Sequence, residues 1–407
     1  MNNLLYSSTS TYGINHDATV VDINPNDFTI NNMYVLERFS RKKHDGRQSV
    51  ALKVLQRYST SETDILCTDE TQSVCIDKLS IQHHKKIYPS DTFLPFHHLS
   101  HACETVFTSG FTHTAVLVVD GFGNNNESIT LFQYKNNKFI KLKEYPASSS
   151  LGCLYYSASV YAGFISDNAL CGYESKFMGL TSYGKPSVLP IVAFDIDNGY
   201  TFDTTDIRSM MIMYSNYYPY HKNDDASLLH YTQFAATIQR DFDDAILKLV
   251  KYIKDITGED NLCLSGGCFQ NVITNDKICE LGVFKNVWCS PFPSDGGTGL
   301  GNVYEYYYKL GYLITPQRMK HAYWGEEYPD KKILSYIDTE KYSLTDITPQ
   351  EVAKLLSEDK ILVWFQDRSE YGPRALGHRS LIGNPGNREN FNILNNKIKH
   401  RENWRPL

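Results

Sequence analysis

Three predicted strands in the middle of the chain each end in a turn that contains glycine. The strands and their turns are Thr114–Val119 with Asp120–Gly123, Asn261–Leu264 with Ser265–Gly267, and Asn286–Ser290 with Pro291–Gly297. Helical segments follow the second and third of these turns. Strands that alternate with helices indicate an α/β fold. Because no segment of roughly 20–50 residues repeats along the chain, the sequence argues against a solenoid or a propeller.

The strongest helical signal lies between Tyr231 and Thr257. Apolar residues recur there at spacings of three and four, which places them on one face of a helix. They are Phe234, Ile238, Phe242, Ala245, Leu249, Ile253 and Ile256. Gly258 follows directly, and glycine commonly occupies the left-handed position that ends a helix. We therefore predict a long amphipathic helix that stops at this glycine.

A domain boundary is predicted between Lys331 and Gln350, where charged residues and proline become frequent before a new strand, Ile361–Phe365. A chain of 407 residues is long enough for two or three domains. We expect a first domain over residues 1–335 and a second over 336–407.

The composition excludes several classes of protein. With 42% hydrophobic residues the chain can bury a core, so disorder is not its main state. Its net charge is −6, whereas a dedicated duplex-binding protein presents a basic face. The sequence shows no signal-peptide pattern, no apolar run near the roughly 18 residues of a membrane helix, and no C-x-x-C pair among its cysteines. We expect a cytoplasmic protein with reduced thiols, no thiolate zinc site and no membrane partner.

Two histidines and two aspartates form the first candidate site. His97 and His101 are one turn apart on a predicted helix, so both imidazoles can reach one metal ion, whereas His98 points elsewhere. Asp120 ends a buried strand, and Asp295 lies in a glycine-rich turn. Two imidazoles with carboxylates suit Fe(II), Zn or Mn, and the sequence does not choose among them. The alternative is that these are surface histidines and ordinary turn or N-cap aspartates.

The glycine turns form the second candidate site. Gly266 and Gly267 lie between a strand and a helix, where a phosphate can approach the backbone and the helix N-terminus favours its charge. Two further turns offer the same chemistry, at Gly121, Gly123, Gly296 and Gly297. Glycine also serves such turns for steric reasons alone. Three turns together favour a nucleotide or another phosphorylated ligand, and we expect Asn271 to line the same site.

Basic residues concentrate near the end of the printed sequence, at Arg374, Arg379, Lys399, Arg401 and Arg405. Guanidinium groups suit phosphates and carboxylates, which they bind through paired hydrogen bonds. On a strand, the even spacing of Lys399 and Arg405 would place both on one face, with Arg374 on a Gly-Pro turn beside them. We predict an anion site here; a solvated basic surface is the alternative.

Seven segments, taken in order, resemble the O-carbamoyltransferases that include the nodulation-factor, cephamycin and tobramycin carbamoylating enzymes. They are His97–Ala102, Val119–Gly123, Tyr173–Leu180, Ser265–Asn271, Pro293–Gly297, Glu370–Ser380 and Lys399–Pro406. An N-terminal segment, Tyr12–Ala18, also keeps the family's His16 and Asp17, although the residues before it are more polar than a typical first strand. The ordered set is far more specific than any one motif.

This resemblance implies a fold and a reaction. The first domain is expected to be Kae1-like, a member of the actin/Hsp70 ATPase (ASKHA) superfold with two related α/β lobes, and the second to be the beginning of a YrdC-like domain. Family members make carbamoyl adenylate from carbamoyl phosphate and ATP, and then pass the carbamoyl group to a hydroxyl of a small molecule. We expect Mg²⁺ to accompany ATP.

The resemblance also implies roles for particular residues. Iron, the usual metal of the family, is expected to be held by His97, His101, Asp120 and Asp295, and the adenylate-forming site to use Arg374, Lys399 and Arg405. Lys176 is placed with the glycines in the nucleotide site. His16, with Asp17 beside it, is the candidate base for the attacking hydroxyl, and a hydrogen-bonded turn histidine is the alternative.

The acceptor and the extent of the second domain stay open at the level of sequence. We expect a small-molecule acceptor such as a sugar or an antibiotic. The alternatives are a hydroxymethylated nucleotide or DNA base, tRNA threonylcarbamoyl transfer, and an ATP-sensing fold without enzymatic activity. The family's second domain normally continues past the position of Leu407, so we expect this chain to make little carbamoyl adenylate by itself. The oligomeric state is not indicated.

Overall fold

A computed structural model describes residues 4–9, 19–24, 26–40, 53–54, 57, 64–69, 87–88, 95–165, 173–220, 228–402 and 404–407. The chain divides into two compact units, Met1–Lys320 and His321–Leu407. The boundary predicted at residue 335 therefore falls inside the second unit. The predicted catalytic residues His16 and Asp17 lie outside the described residues.

The described residues of the first unit contain two five-stranded sheets. The first has the order β3-β2-β1-β4-β5 and is built from Leu4–Thr9 (β1), Thr19–Ile23 (β2), Ile30–Val35 (β3), Asp64–Asp69 (β4) and Ile87–Tyr88 (β5). The second has the order β8-β7-β6-β9-β10 and is built from Thr114–Val119 (β6), Glu127–Lys135 (β7), Lys138–Pro146 (β8), Asn261–Ser265 (β9) and Asn286–Cys289 (β10).

The two sheets repeat one topology. In each, the first three strands pair antiparallel in sequence order. The fourth strand then pairs in parallel with the first, and the fifth in parallel with the fourth. This duplication confirms the predicted α/β class with two related lobes, the arrangement expected of the actin/Hsp70 ATPase superfold.

Helices of the first unit accompany these sheets. They are Glu37–Ser40 (α1), His97–Ser109 (α2), Leu151–Tyr161 (α3), Glu174–Thr181 (α4), Ile207–Tyr217 (α5), Thr232–Thr257 (α6), Val272–Leu281 (α7) and Asp295–Lys309 (α8). Helix α6 confirms the predicted long helix, and Gly258 ends it with a φ of 64°. Its predicted apolar face is buried except at Ile256. Within the described residues, no helix has both the length and the apolar character that crossing a membrane requires.

Strand β6 positions the candidate site. It is buried along its whole length and lies between β7 and β9 in the second sheet. Because β6 and β9 are parallel, their carboxyl ends reach the same edge of the sheet. Asp120 follows β6 there, and Ser265 ends β9.

The second unit is smaller. Its described elements are the helices Asp330–Leu334 (α9), Pro349–Ser357 (α10) and Arg388–Asn392 (α11), and the antiparallel strands Leu362–Phe365 (β11) and Arg379–Ile382 (β12). A π-helical segment, Ile393–Ile398, follows α11 directly.

The prediction that Lys399 and Arg405 lie on one face of a strand is wrong, because the described residues of that segment form no strand. The side chain of Arg401 explains the irregular path. Its Nε donates a 2.6 Å hydrogen bond to Asn395 Oδ1, which holds the segment against the preceding π-helical turn.

Candidate metal centre

Helix α2 presents two imidazoles at the edge of the second sheet. His97 and His101 are one helical turn apart, both are buried, and their ring centroids are 4.7 Å apart. His98 does not join them, since its Nδ1 lies 2.7 Å from the hydroxyl of Thr130. The helix therefore separates the predicted pair from the third histidine, as the sequence indicated.

Two carboxylates meet this pair. His97 Nε2 lies 3.0 Å from Asp120 Oδ2 and 3.6 Å from Asp295 Oδ1. His101 Nε2 lies 3.3 Å and 3.6 Å from the same two oxygens. The four ligand atoms all lie within 4.8 Å of one another. The structure thus brings together all four residues predicted as metal ligands, from α2, the end of β6 and the start of α8.

The separations between the imidazoles and the carboxylates fit a shared divalent metal ion. Two atoms that bind the same Zn²⁺ at about 2.0–2.2 Å are at most about 4.4 Å apart, and the imidazole–carboxylate separations of 3.0–3.6 Å satisfy this limit. His101 Nε2 is buried and, although close to Asp120, makes no hydrogen bond of acceptable geometry. A buried polar atom without a bond is costly, and a metal ion on this nitrogen would remove the cost.

The two histidines favour the ionised form of the Asp120 carboxylate. Burial by itself raises the pKa of Asp120, but the imidazoles of His101 and His97 outweigh burial and hold that pKa well below its usual range. Burial likewise lowers the pKa of His101, but the carboxylates of Asp120 and Asp295 outweigh it, so the pKa is raised. Asp120 is therefore ionised at neutral pH, as a metal ligand must be.

The turn after β9 orients Asp120. The backbone N–H of Gly267 donates a 3.0 Å hydrogen bond to Asp120 Oδ1, which leaves Oδ2 facing the histidines. Gly266 is required for this approach, because its φ is 101° and a Cβ there would overlap the Val119 carbonyl. The turn predicted to hold a phosphate therefore orients Asp120 in the cluster of four candidate metal ligands, called the metal cluster below.

The other residues predicted to bind nucleotide have different settings. A Cβ at Gly121 would meet nothing within 4 Å, whereas one at Gly123 would overlap the carboxylate of Glu127. Lys176 Nζ lies 3.9 Å from the centre of the Tyr173 ring.

The glycine turn predicted around Asp295 is instead the first turn of helix α8. Gly296 and Gly297 are helical, and a Cβ at Gly297 would overlap the Phe292 carbonyl. Farther along α8, a Cβ at Gly301 would overlap the Ser100 carbonyl of α2. Close packing thus explains Gly297 and Gly301, and Gly301 allows α8 to approach α2.

Asn271 supports the start of helix α7. Its Oδ1 accepts a hydrogen bond from the backbone N–H of Thr274, and its Nδ2 donates to Gln239 Oε1 at 2.9 Å. Gln239 in turn donates to Asp243 Oδ1, so Asn271 belongs to a buried polar network between α6 and α7.

Glu305 is a residue that the sequence reasoning missed. This buried carboxylate of α8 accepts from the backbone N–H of Phe96 at 2.9 Å and from the hydroxyl of Ser100 at 2.5 Å, and it pairs with Lys309 at 2.6 Å. It serves the N-terminus of α2, where Phe96 offers no side-chain cap. The one signal for it was a carboxylate within the aromatic segment Tyr304–Tyr308.

The basic residues of the second unit are brought together in part. Burial, followed by the nearby guanidiniums of Arg401 and Arg405, lowers the pKa of Lys399. Arg374 lies in a loop held by Glu370, whose Oε1 accepts hydrogen bonds from three backbone N–H groups. The donors are Leu376, His378 and Arg379, at 3.0, 2.9 and 2.8 Å.

Comparison with known families follows the two units. Residues 14–303 match the model of the carbamoyltransferase N-terminus, and residues 353–407 match that of the carbamoyltransferase C-terminus. The chain belongs to the carbamoyltransferase family. The first match carries the four residues of the metal cluster, and the second carries the basic residues near Lys399.

Individual relatives of this chain are distant in sequence. An uncharacterized protein of Synechocystis is 30% identical over 76% of this chain and 54% of its own length. Nodulation protein NolNO of Sinorhizobium fredii is 26% identical over 87% of this chain and 52% of its own length. Nodulation protein NolO of Bradyrhizobium diazoefficiens is 26% identical over 76% and 57%. The chain spans about half the length of the curated relatives it matches.

Two solved structures that match part of this chain share little sequence with it. Component A of the (R)-2-hydroxyglutaryl-CoA dehydratase of Acidaminococcus fermentans has a TM-score of 0.43 and 12% identity, over 76% of this chain and 99% of that one. Full-length HypF in its phosphate- and nucleotide-bound form has a TM-score of 0.42 and 13% identity, over 76% and 55%.

Proposed function

We propose that this carbamoyltransferase moves the carbamoyl group of carbamoyl phosphate, through a carbamoyl adenylate made with ATP, to a hydroxyl of a small acceptor such as a sugar. The observation that carries the proposal is the convergence of His97, His101, Asp120 and Asp295 in a chain of this family. Similarity to two nodulation proteins favours a small-molecule acceptor over tRNA or a DNA base.

We infer that the four clustered residues hold one divalent metal ion, with Fe(II) as the first candidate and Zn or Mn as alternatives. When bound, such an ion supplies Lewis acidity toward an acyl or phosphoryl oxygen. The protein itself sets the charge and orientation of Asp120. The histidines keep this carboxylate ionised, and the N–H of Gly267 aligns it.

The transfer step needs a base. Attack of the acceptor oxygen on the carbamoyl carbon forms a C–O bond, breaks the bond from that carbon to AMP, and releases the hydroxyl proton. His16 is our candidate for accepting this proton, because imidazole titrates near neutrality. Asp17 is its expected neighbour.

We assign activation to the second unit, as YrdC-like, and transfer to residues 1–335. Burial and, after it, the nearby guanidiniums of Arg401 and Arg405 lower the pKa of Lys399. Cations so placed repel one another unless an anion joins them, so carbamoyl phosphate is a fitting ligand, with Arg374 as the fourth cation. We place the phosphates of ATP at the turns of Gly121 and Gly266, with Mg²⁺.

Two measurements on the full chain separate these roles. Isothermal titration calorimetry with carbamoyl phosphate should show weaker binding for Lys399→Ala than for the control Lys397→Ala. Lys397 is an exposed lysine two residues earlier. Carbamoyl transfer from supplied carbamoyl adenylate should be lost in Asp295→Asn and kept in Lys399→Ala. If Asp295→Asn transferred as well as the wild type, the assignment of transfer to the metal cluster would be wrong.

A further inference from the structure

We infer that Ser265 and Glu104 form a hydrogen-bond relay that fixes the tautomer and orientation of His101, and that both are positioning residues for the metal centre. The inference rests on the proposed metal site, because it concerns which ring nitrogen of His101 faces that site. Neither residue touches the cluster's carboxylates through a hydrogen bond in the described structure.

The relay lies behind the cluster, in the protein interior. His101 Nδ1 is 3.1 Å from Ser265 Oγ, at the end of β9. Ser265 Oγ is also 3.3 Å from the Pro293 carbonyl and 3.3 Å from Glu104 Oε2. The side chains of His101, Ser265 and Glu104 are completely buried, so water does not compete for these bonds.

A metal ion on His101 Nε2 would leave the proton of the neutral ring on Nδ1, where Ser265 Oγ can accept it. The Pro293 carbonyl can only accept, so it takes the single proton of the Ser265 hydroxyl. Ser265 Oγ then accepts from His101 Nδ1–H and from a protonated Glu104 carboxyl. This arrangement satisfies His101 Nδ1 and the Ser265 hydroxyl, and His101 Nε2 faces Asp120 and Asp295.

The state of Glu104 agrees with this arrangement. Burial raises the pKa of Glu104 to about 8, against the opposing effects of Ser290, His101 and Ser265. The carboxyl is therefore protonated at neutral pH and can donate a hydrogen bond. A partner behind a metal-binding histidine typically changes metal affinity about 10- to 100-fold.

The first test measures Zn²⁺ affinity of the full chain by competition with a chromophoric chelator. Ser265→Ala and Glu104→Leu should each bind Zn²⁺ about 10- to 100-fold more weakly than the wild type. Glu104→Gln should stay close to wild type, because its amide still donates without charge. Ser159→Ala is the matched control, since the buried Ser159 hydroxyl makes no hydrogen bond within the described structure.

The second test is independent of metal. In the metal-free protein with ¹⁵N-labelled histidine, NMR should detect a proton bonded to His101 Nδ1. The signal is assigned to His101 because the His101→Gln variant lacks it. A wild-type His101 without that proton would overturn the relay. Failure of the wild type to bind Zn²⁺ would instead overturn the proposed metal site, and wild-type Zn²⁺ affinity in Ser265→Ala would overturn the relay alone.

Discussion

His101 Nε2 and Asp295 Oδ1 lie 3.6 Å apart, although the histidine belongs to α2 and the aspartate begins α8. The two helices pack closely because glycine replaces larger side chains on α8. A change that separates the two helices is therefore expected to alter the cluster of His97, His101, Asp120 and Asp295 as well as the stability of the fold.

Asp295→Asn should reduce metal binding without unfolding the protein. The amide keeps the shape of the carboxylate but loses its charge, and the Asp295 side chain is partly exposed, so packing changes little. We expect metal affinity to fall at least about 10-fold, measured as metal content after dialysis against a chelator. Asp244→Asn, at an exposed aspartate of α6, is the control. Equal metal content in both variants would contradict the ligand set.

Gly301→Ala should destabilise the first unit. The added Cβ would overlap the Ser100 carbonyl, and backbone cannot move aside as a flexible side chain can. We expect a loss of about 1–3 kcal/mol, measured by denaturant unfolding, together with weaker metal binding because α2 carries both histidines. Unchanged stability would show that α2 and α8 do not pack as closely as described.

Glu305→Ala should lower the free energy of unfolding more than Gly301→Ala does. It removes the acceptor for Phe96 N–H and Ser100 Oγ and leaves Lys309 without its carboxylate. Breaking a buried ion pair typically costs about 3–5 kcal/mol, and the partial exposure of Lys309 places our expectation at the lower end. Denaturant unfolding beside Glu280→Ala, at an exposed glutamate of α7, measures the effect. A similar stability for the two variants would refute the role given to Glu305.

Much of the second lobe could be predicted from the sequence. Strand β6 has the predicted bounds, α6 begins one residue after the predicted start, and the four proposed metal ligands converge. These features come from local patterns: an apolar run, a helical period and a histidine pair one turn apart. Local patterns also determine which strands end in polar residues.

Other features could not be predicted because they depend on contacts between distant segments. The glycines after Asp295 fit a turn equally well until α2 is known to pack on α8. Glu305 and Glu104 act through residues about 200 and 160 positions away, at Phe96 and Ser265. The even spacing of Lys399 and Arg405 suggested a strand, but the Arg401–Asn395 hydrogen bond determines the path instead.

The stability of the Glu370 loop should depend on pH. Burial opposes ionisation of Glu370, but hydrogen bonds from the backbone, including those of Leu376 and His378, outweigh it and lower the pKa. A carboxyl with a lower pKa in the folded state stabilises the fold above about pH 4.3, and that contribution is lost as pH falls through the lowered pKa. We therefore expect Glu370→Gln to reduce stability at pH 7. The loss of stability between pH 7 and pH 3 should be smaller in this variant than in the wild type.

Thermal unfolding of the full chain between pH 7 and pH 3 measures this effect. Glu340→Gln, at an exposed glutamate of the same unit, should follow the wild type. If Glu370→Gln melted like the wild type at pH 7, the carboxylate would not be holding the loop that carries Arg374.

We propose that carbamoyl transfer to a small hydroxyl acceptor takes place at the metal cluster. Its most direct test supplies carbamoyl adenylate and a panel of aminoglycosides, β-lactams, sugars and hydroxymethyl nucleosides, and uses mass spectrometry to detect the gain of one carbamoyl unit. We expect a modified small-molecule acceptor with the wild type and with Asp244→Asn, and at least about 100-fold less product with Asp120→Asn. Equal product with Asp120→Asn, or carbamoylation of the hydroxymethyl nucleosides alone, would contradict the account.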